Sequence, residues 1–372
     1  MAEYKTLVKK IPVSPDKKTK QKDYLKKGQL PIVDQGQGLI GGYTDDTGMT
    51  VKCDLPVIIF GDHTRVVKYV TFPFGAGADG IKVLQPQEGT SPLYLYYGTQ
   101  YIVAKMPNRG YARHYQFVEK EDLPIPSIPE QERIVARIEE LFSQLEAGVE
   151  TLKKTKAQLA VYRQAVLKEA FSDCAQKKAI RELSSIVTSG SRGWAAFYSD
   201  TGARFIRITD LTRTGIELKN DSIQHVLLPD KAEGKRSRLH GGDVLVSITA
   251  DLGSIALIPD SIEEAYINQH IAMIRFNNPE QGKFIAWYLR SEWGQKDLLK
   301  NKRGGGKLGL GLDDIRDTPV PVVSDKAASD IVSYIDSRLS ICDSIEQTVD
   351  TALQQAEAMR QSILKQAFEG EF

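Results

Sequence analysis

The chain has 372 residues, of which 41% are hydrophobic, enough for two or three domains with buried cores. Its 49 basic and 48 acidic side chains leave a net charge of +1. No run of about 18 apolar residues occurs, so no membrane-spanning helix is expected. The start, Met1-Ala2-Glu3-Tyr4-Lys5, carries no apolar signal core. Cys53, Cys174 and Cys342 are far apart and odd in number, which argues against a disulfide framework or metal site and for a reducing cytoplasm.

Residues 1–128 form the first segment, with 17 basic and 13 acidic side chains, net +4. Lys17-Lys18-Thr19-Lys20-Gln21-Lys22-Asp23-Tyr24-Leu25-Lys26-Lys27 reads as a polar surface loop. Short β-type runs follow between Gly and Asp turns: Leu30–Val33, Val57–Phe60, Val66–Val70 and Ile81–Leu84. Ser91-Pro92 opens a short helix through Tyr97. The segment closes on Asn108-Arg109-Gly110-Tyr111-Ala112-Arg113-His114-Tyr115, where cations and aromatics alternate.

A proline pair, Pro124-Ile125-Pro126, then introduces a long helix over 129–175. Steps of four and three from Ile134 give Ile138, Leu141, Leu145, Gly148, Leu152, Thr155, Leu159, Tyr162 and Val166, a heptad-like stripe.

The third segment, 176–323, is net +3 and repeats the plan of the first. Strand candidates are Phe205–Ile208, Val244–Ile248, Ser254–Ile258 and Ile271–Phe276. Lys283–Leu289 reads as helical, and Asp243 precedes its strand as Asp54 precedes another. A glycine-rich stretch, Arg303-Gly304-Gly305-Gly306-Lys307, leads to a second proline pair, Pro319-Val320-Pro321.

The final segment, 324–372, is net −5 and repeats the long helix. Met359-Arg360-Gln361-Ser362-Ile363-Leu364-Lys365-Gln366-Ala367-Phe368 matches Tyr162-Arg163-Gln164-Ala165-Val166-Leu167-Lys168-Glu169-Ala170-Phe171 at an offset of 197 (368 − 171). The same offset carries Ile134, Val135 and Ile138 onto Ile331, Val332 and Ile335, without a gap. The second stripe then takes Arg338, Cys342, Ile345, Val349, Ala352, Ala356, Met359 and Ile363. Each helix is on the order of 60 Å long at about 1.5 Å per residue, and cannot bury its stripe alone. Ile134, Ile138, Leu145, Leu152, Leu159, Val166, Ile331, Ile335, Ile345, Val349, Met359 and Ile363 are therefore assigned to pairing with the other helix or with a partner subunit. A gap-free match over nearly 40 residues, twice preceded by a proline pair, indicates tandem duplication.

Catalytic signatures do not emerge. Phe74-Gly75-Ala76-Gly77 resembles a nucleotide-binding turn but is followed by a strand, not a helix. The triple glycine lacks P-loop spacing. Pro229-Asp230, Glu233 and Lys235 sit in one polar loop, too close together for a nuclease metal site. The five histidines are dispersed.

Leu123-Pro124-Ile125-Pro126-Ser127-Ile128-Pro129-Glu130-Gln131-Glu132-Arg133-Ile134-Val135, and the Arg-Gln-x-(Leu/Ile/Val)-Leu-Lys-x-Ala-Phe ending of each helix, resemble the specificity subunit of type I restriction–modification systems. Gly242–Val246 with Asn268–Ile271 resembles that family's second recognition domain. The resemblance covers essentially the whole chain, with a first globule shorter than the second. It implies an α+β fold: two α/β target-recognition globules joined by two long helices forming an antiparallel coiled coil, with the globules at its opposite ends. The segments become a first recognition domain (1–128), a central spacer helix (129–175), a second recognition domain (176–323) and a C-terminal spacer helix (324–372).

The resemblance further implies a non-catalytic chain whose globules each read one half of a split double-stranded DNA site. The partners would be two modification (methyltransferase) subunits and restriction (motor/nuclease) subunits. S-adenosylmethionine, ATP and Mg would then belong to those partners, with no cofactor in this chain. For DNA contact the candidates are the cationic loops: Arg109, Arg113 and His114 in the first globule, and Lys235, Arg236, Arg238, Lys302, Arg303 and Lys307 in the second. The alternative is a coiled-coil adaptor whose globules bind proteins.

Overall fold

The structure, a computed structural model, describes residues 1–370 apart from 79, 108–109, 111, 229–235, 301 and 303–307. The fold is α+β: two α/β globules joined by two long helices, Ile128–Ala170 and Asp325–Glu369. The chain divides into two compact units, Met1–Leu152 with Asp350–Phe372, and Lys153–Val349. Each unit holds one globule and a part of each long helix. No helix among the described residues is long and apolar enough to cross a membrane.

In the first unit the strand Val57–Gly61 is central. It pairs antiparallel with Val67–Val70 and with Ile81–Pro86, and Val8–Ile11 completes the sheet beyond Ile81–Pro86. Val57 and Ile59 face a core containing Val33, Val70, Phe74 and Val83. Ile58 and Phe60 face another, built from Tyr94, Leu95 and Ile102 together with Ile134, Ile138, Phe142, Leu364 and Phe368 of the long helices. A strand covered on both faces must be apolar at every position, which is why Val57-Ile58-Ile59-Phe60 is an unbroken apolar run. The helix opened by Pro92 extends to Lys105, beyond its expected end at Tyr97, because Tyr101 and Ile102 continue its buried face.

A second, smaller sheet orders Lys18–Thr19, Gly75–Gly77, Leu30–Val33 and Gly42–Thr44. The stretch 17–27 is therefore more than a surface loop. Lys18–Thr19 pairs parallel with Gly75–Gly77, and Thr19 is buried. Backbone pairing needs no apolar side chain, so lysine composition concealed the strand. Phe74-Gly75-Ala76-Gly77 runs as a buried strand segment, and a Cβ on Gly77 would collide with the Tyr24 hydroxyl.

The second unit repeats the main sheet in the same antiparallel order: Ser184–Ser189, Ile271–Phe276, Val244–Ser247, Ile255–Leu257. Leu245, Ile271 and Met273 face one core. Val244, Val246, Ala272 and Ile274 face the helix Glu280–Arg290 and the long-helix residues Leu159, Val166, Phe171, Ile335 and Leu339. The strand expected over 205–208 is Ala203–Ile206, ending where Ile208 begins a 3-10 turn. Each globule is tied off by a short antiparallel pair beside the proline motif: Ala2–Glu3 with Asp122–Leu123, and Lys177–Ala179 with Pro319–Pro321.

The long helices run antiparallel in both units. In the second, Glu169 meets Tyr334, Arg163 meets Asp343, and Lys156 meets Glu346. In the first, Glu146 meets Arg360 at 3.1 Å. Of the twelve expected pairing positions, Ile134, Ile138, Leu159, Val166, Ile335, Val349 and Ile363 are buried, and Leu145, Leu152 and Ile331 are half-buried. Ile345 and Met359 are exposed (39% and 55%), which corrects their assignment to the helix–helix seam.

A second shielded row lies one residue later. It runs through Phe142, Val149, Lys156 and Arg163 on one helix and Leu339, Glu346, Leu353 and Arg360 on the other. Each position on the first helix plus 197 gives its counterpart on the second. Lys156, Arg163, Glu346 and Arg360 are charged, so an apolar search passes over them to Tyr162, Ile345 and Met359. Long charged side chains can lie in such a row by packing their stems and pairing their heads. Arg163, 8% exposed, donates to Asp343 at 2.6 Å and to Glu346 at 2.9 Å. Arg360 pairs with Glu146 and lies 4.1 Å over the Phe142 ring. Because 163 + 197 = 360 and 146 + 197 = 343, these are one duplicated contact with the copies exchanged.

Candidate nucleic-acid interface

The cationic loop of the first globule is fastened at its downstream end. The His114 backbone N–H donates to Asp62 O (2.8 Å), Tyr115 N–H to Asp62 Oδ1 (2.9 Å), and His63 Nδ1 lies 3.2 Å from Ala112 O. Asp62 is itself buried and held by Lys82 at 3.2 Å. It follows directly on the central strand, so residues 112–115 are anchored to the end of that strand.

The residues after the glycine stretch of the second globule are anchored comparably. Leu310 N–H donates to Ile248 O (2.9 Å), just past the central strand Val244–Ser247, and Thr249 bridges to Gly309. Each loop lies between the helical region behind the main sheet and the last short helix of its globule, Tyr115–Val118 or Leu312–Arg316. The described residues that follow the two cationic stretches, 112–115 and 309–310, are thus fastened just past the ends of equivalent central strands.

Among the individual candidates, Arg113, Arg236, Arg238 and Lys302 are exposed or half-exposed at the surface. Arg238 bridges to Tyr266 in the smaller sheet of the second unit, ordered Tyr198–Ser199, His225–Val226, Ala203–Ile206, Ala265–Ile267. His114 is 1% exposed, with its Nε2 3.2 Å from Gly110 O, and so is corrected from a DNA contact to an interior residue that shapes the loop. The backbone hydrogen bond to Asp62 turns its side chain inward, which a pattern of alternating cations and aromatics cannot disclose. Arg109, Lys235, Arg303 and Lys307 lie outside the described residues, as does the 229–235 loop with its carboxylates. Among the described residues no group of three or more His, Cys, Asp or Glu is placed to hold a metal ion. The three cysteines are free, and burial pushes the Cys342 thiol up.

One structural device was only half legible. Asp243, 1% exposed, accepts from Arg275 Nε (2.8 Å) and Nη2 (2.6 Å) and from His240 N–H (2.8 Å). The Asp243 hydrogen bonds raise the Arg275 pKa above the ordinary arginine value. In the first globule the pair is Asp54 with Gln85 at 2.9 Å, and it is exposed. The sequence matched the two aspartates but not their partners, which come from the neighbouring strand.

In architecture, then, each unit is an α/β globule packed against its part of the two long helices. Residues 178–355 match the family described as type I restriction modification DNA specificity domain. It is 25% identical over 282 residues to the type I restriction enzyme EcoBI specificity subunit of Escherichia coli, covering 67% of this chain and 58% of that protein. It is 26% identical over 217 residues to the EcoR124I/EcoR124II specificity subunit, also of Escherichia coli, covering 55% and 54%. The chain thus matches less than two-thirds of the length of these relatives. In fold it is similar to a chain described under "Structural basis underlying complex assembly and conformational transition of the type I R-M system", with TM-score 0.73, 16% identity, and 100% and 97% of the two chains covered. The HsdS subunit from Thermoanaerobacter tengcongensis superposes with TM-score 0.50 at 17% identity, covering 100% and 96%.

Proposed function

We propose that this chain is the DNA-sequence specificity subunit of a type I restriction–modification complex, non-catalytic in itself. Each globule reads one half of a split site. The observation that carries this is a main sheet and helix repeated in both units, in a chain whose residues 178–355 match the DNA specificity domain family. Two weak half-site interactions on a stiff stem gain through effective concentration when both engage together. Adenine methylation and cleavage fall to two modification subunits and to restriction subunits, which would bring S-adenosylmethionine, ATP and Mg. A cytoplasmic location accords with that role.

Two measurements test the proposal. Binding of the purified chain to duplex DNA should weaken steeply with salt. Arg236→Ala with Lys302→Ala should lower the log–log salt slope by about 2, one for each cation withdrawn from a phosphate. Duplex binding absent or indifferent to salt would favour the protein-binding adaptor. Secondly, one heptad inserted at matched positions in both helices keeps the seam in phase. In cells carrying the modification subunits, the spacer of the methylated site should grow by a few base pairs with both half-sites unchanged. An unchanged spacer rejects the stem as a ruler.

A further inference from the structure

The smaller sheet of the first globule carries a loop that the cationic pattern does not pick out. Residues 34–41, Asp-Gln-Gly-Gln-Gly-Leu-Ile-Gly, connect the antiparallel strands Leu30–Val33 and Gly42–Thr44. Positions 36–41 are all exposed, including Leu39 at 45% and Ile40 at 37%.

The loop is nonetheless held firmly at its base. Asp34 Oδ1 accepts from Gly36 N–H at 2.9 Å and lies 3.5 Å from Lys68 Nζ, whose side chain is 4% exposed. Gly41 N–H donates to Ile32 O at 2.9 Å, and a Cβ at Gly41 would collide with the Asp34 carboxylate and push it aside. Gln35 is committed to the protein. Its carbonyl accepts from Thr64 Oγ1 at 2.7 Å and its Oε1 from His63 N–H at 3.4 Å. Gln37, two residues on, is exposed, and its amide has no hydrogen-bond partner among the described residues.

The turn that holds Gln35 is the one that holds the cationic loop. His63 contacts both Gln35 and Ala112, Thr64 contacts Gln35, and Asp62 contacts His114 and Tyr115. The segment 112–115, with exposed Arg113, and the 36–41 loop, with a free amide beside two bare aliphatic side chains, are thus fastened to three consecutive residues. Cations serve phosphates and position a protein on the duplex. A glutamine amide can donate to and accept from adenine N6 and N7 together, and aliphatic side chains suit the thymine methyl.

We infer that the 36–41 loop is the base-reading element of the first globule, with Gln37 as a specificity-determining residue for A·T pairs and Arg113 as its neighbouring phosphate contact. The inference rests on the DNA-specificity reading above and names where that reading occurs. A rigidly based loop with an uncommitted tip suits this task, since its side chains can change without disturbing either sheet.

The test is selection of duplexes from a randomised pool by the purified full-length chain, with Gln37→Ala and Arg113→Ala compared at several salt concentrations. Wild type should enrich a split sequence containing A·T pairs in one half. Gln37→Ala should lose about tenfold discrimination at one or two adjacent positions of that half, with its salt slope and unfolding midpoint unchanged. Arg113→Ala should enrich the same sequence with a slope lower by about 1. If Gln37→Ala enriches the wild-type sequence with undiminished discrimination, the inference is overturned while the specificity reading stands. If wild type enriches no sequence, the specificity reading falls and takes this inference with it.

Discussion

Replacing Arg275 with alanine is expected to destabilise the second unit by about 3–5 kcal/mol, the range for removing one partner of a buried ion pair. Asp243 is 1% exposed, and without the guanidinium its carboxylate keeps the His240 N–H as its remaining donor among the described residues. An anion withheld from water with one hydrogen bond is poorly stabilised. The 23% exposure of the Arg275 side chain admits some solvent screening, which favours the lower end of the range. Gln85→Ala alters the corresponding position of the first unit, but Asp54 is exposed and water replaces the amide donor, so the cost there should be about 1 kcal/mol or less. All three tryptophans, Trp194, Trp287 and Trp293, lie in the second unit, so their fluorescence in a urea titration follows that unit selectively. A double variant, Arg275→Met with Asp243→Leu, should recover much of the stability, because a buried ion pair can often be exchanged for apolar packing. An Arg275→Ala midpoint indistinguishable from wild type would show that Asp243 does not depend on the guanidinium.

The matched phenylalanines that end the two helices should be comparably costly to remove. Phe171 is 3% exposed, with ring centroids 5.4 Å from both Phe284 and Tyr288. Phe368, its counterpart at offset 197, is 5% exposed, stacked at 5.3 Å on Tyr101 and tilted at 5.0 Å against Tyr94. In each unit the side chain plugs the junction between a long helix and the helix covering the main sheet. Truncation to alanine leaves a cavity that the aromatic neighbours cannot close, at a cost of about 3–5 kcal/mol. Phe171→Ala should lower the tryptophan-reported transition. Phe368→Ala should accelerate amide hydrogen exchange chiefly in Pro92–Lys105 and Val57–Gly61. If Phe368→Ala left exchange in those segments unchanged, its ring would not be part of that core.

The sequence by itself determined the duplication, the paired long helices and the central strands, because each leaves a local trace. An unbroken match at one offset survives whatever the fold does around it. A strand buried on both faces must be apolar throughout, as in Val57–Phe60 and Val244–Val246. Only the tertiary structure decided the rest. The smaller sheets use strands as short as Lys18–Thr19, Tyr198–Ser199 and His225–Val226, too brief to show a period and held by backbone pairing that side-chain composition does not encode. The helix seam includes Arg163 and Arg360, which look like surface residues until the carboxylates opposite them are in place. His114 turned inward and Gln37 remained at the surface because hydrogen bonds to Asp62, His63 and Thr64, some 30 to 50 residues away, set the course of both loops. Such hydrogen bonds exist only once distant strands have paired, so the arrangement of the site is a property of the folded chain, whereas its repeated framework is written along the sequence.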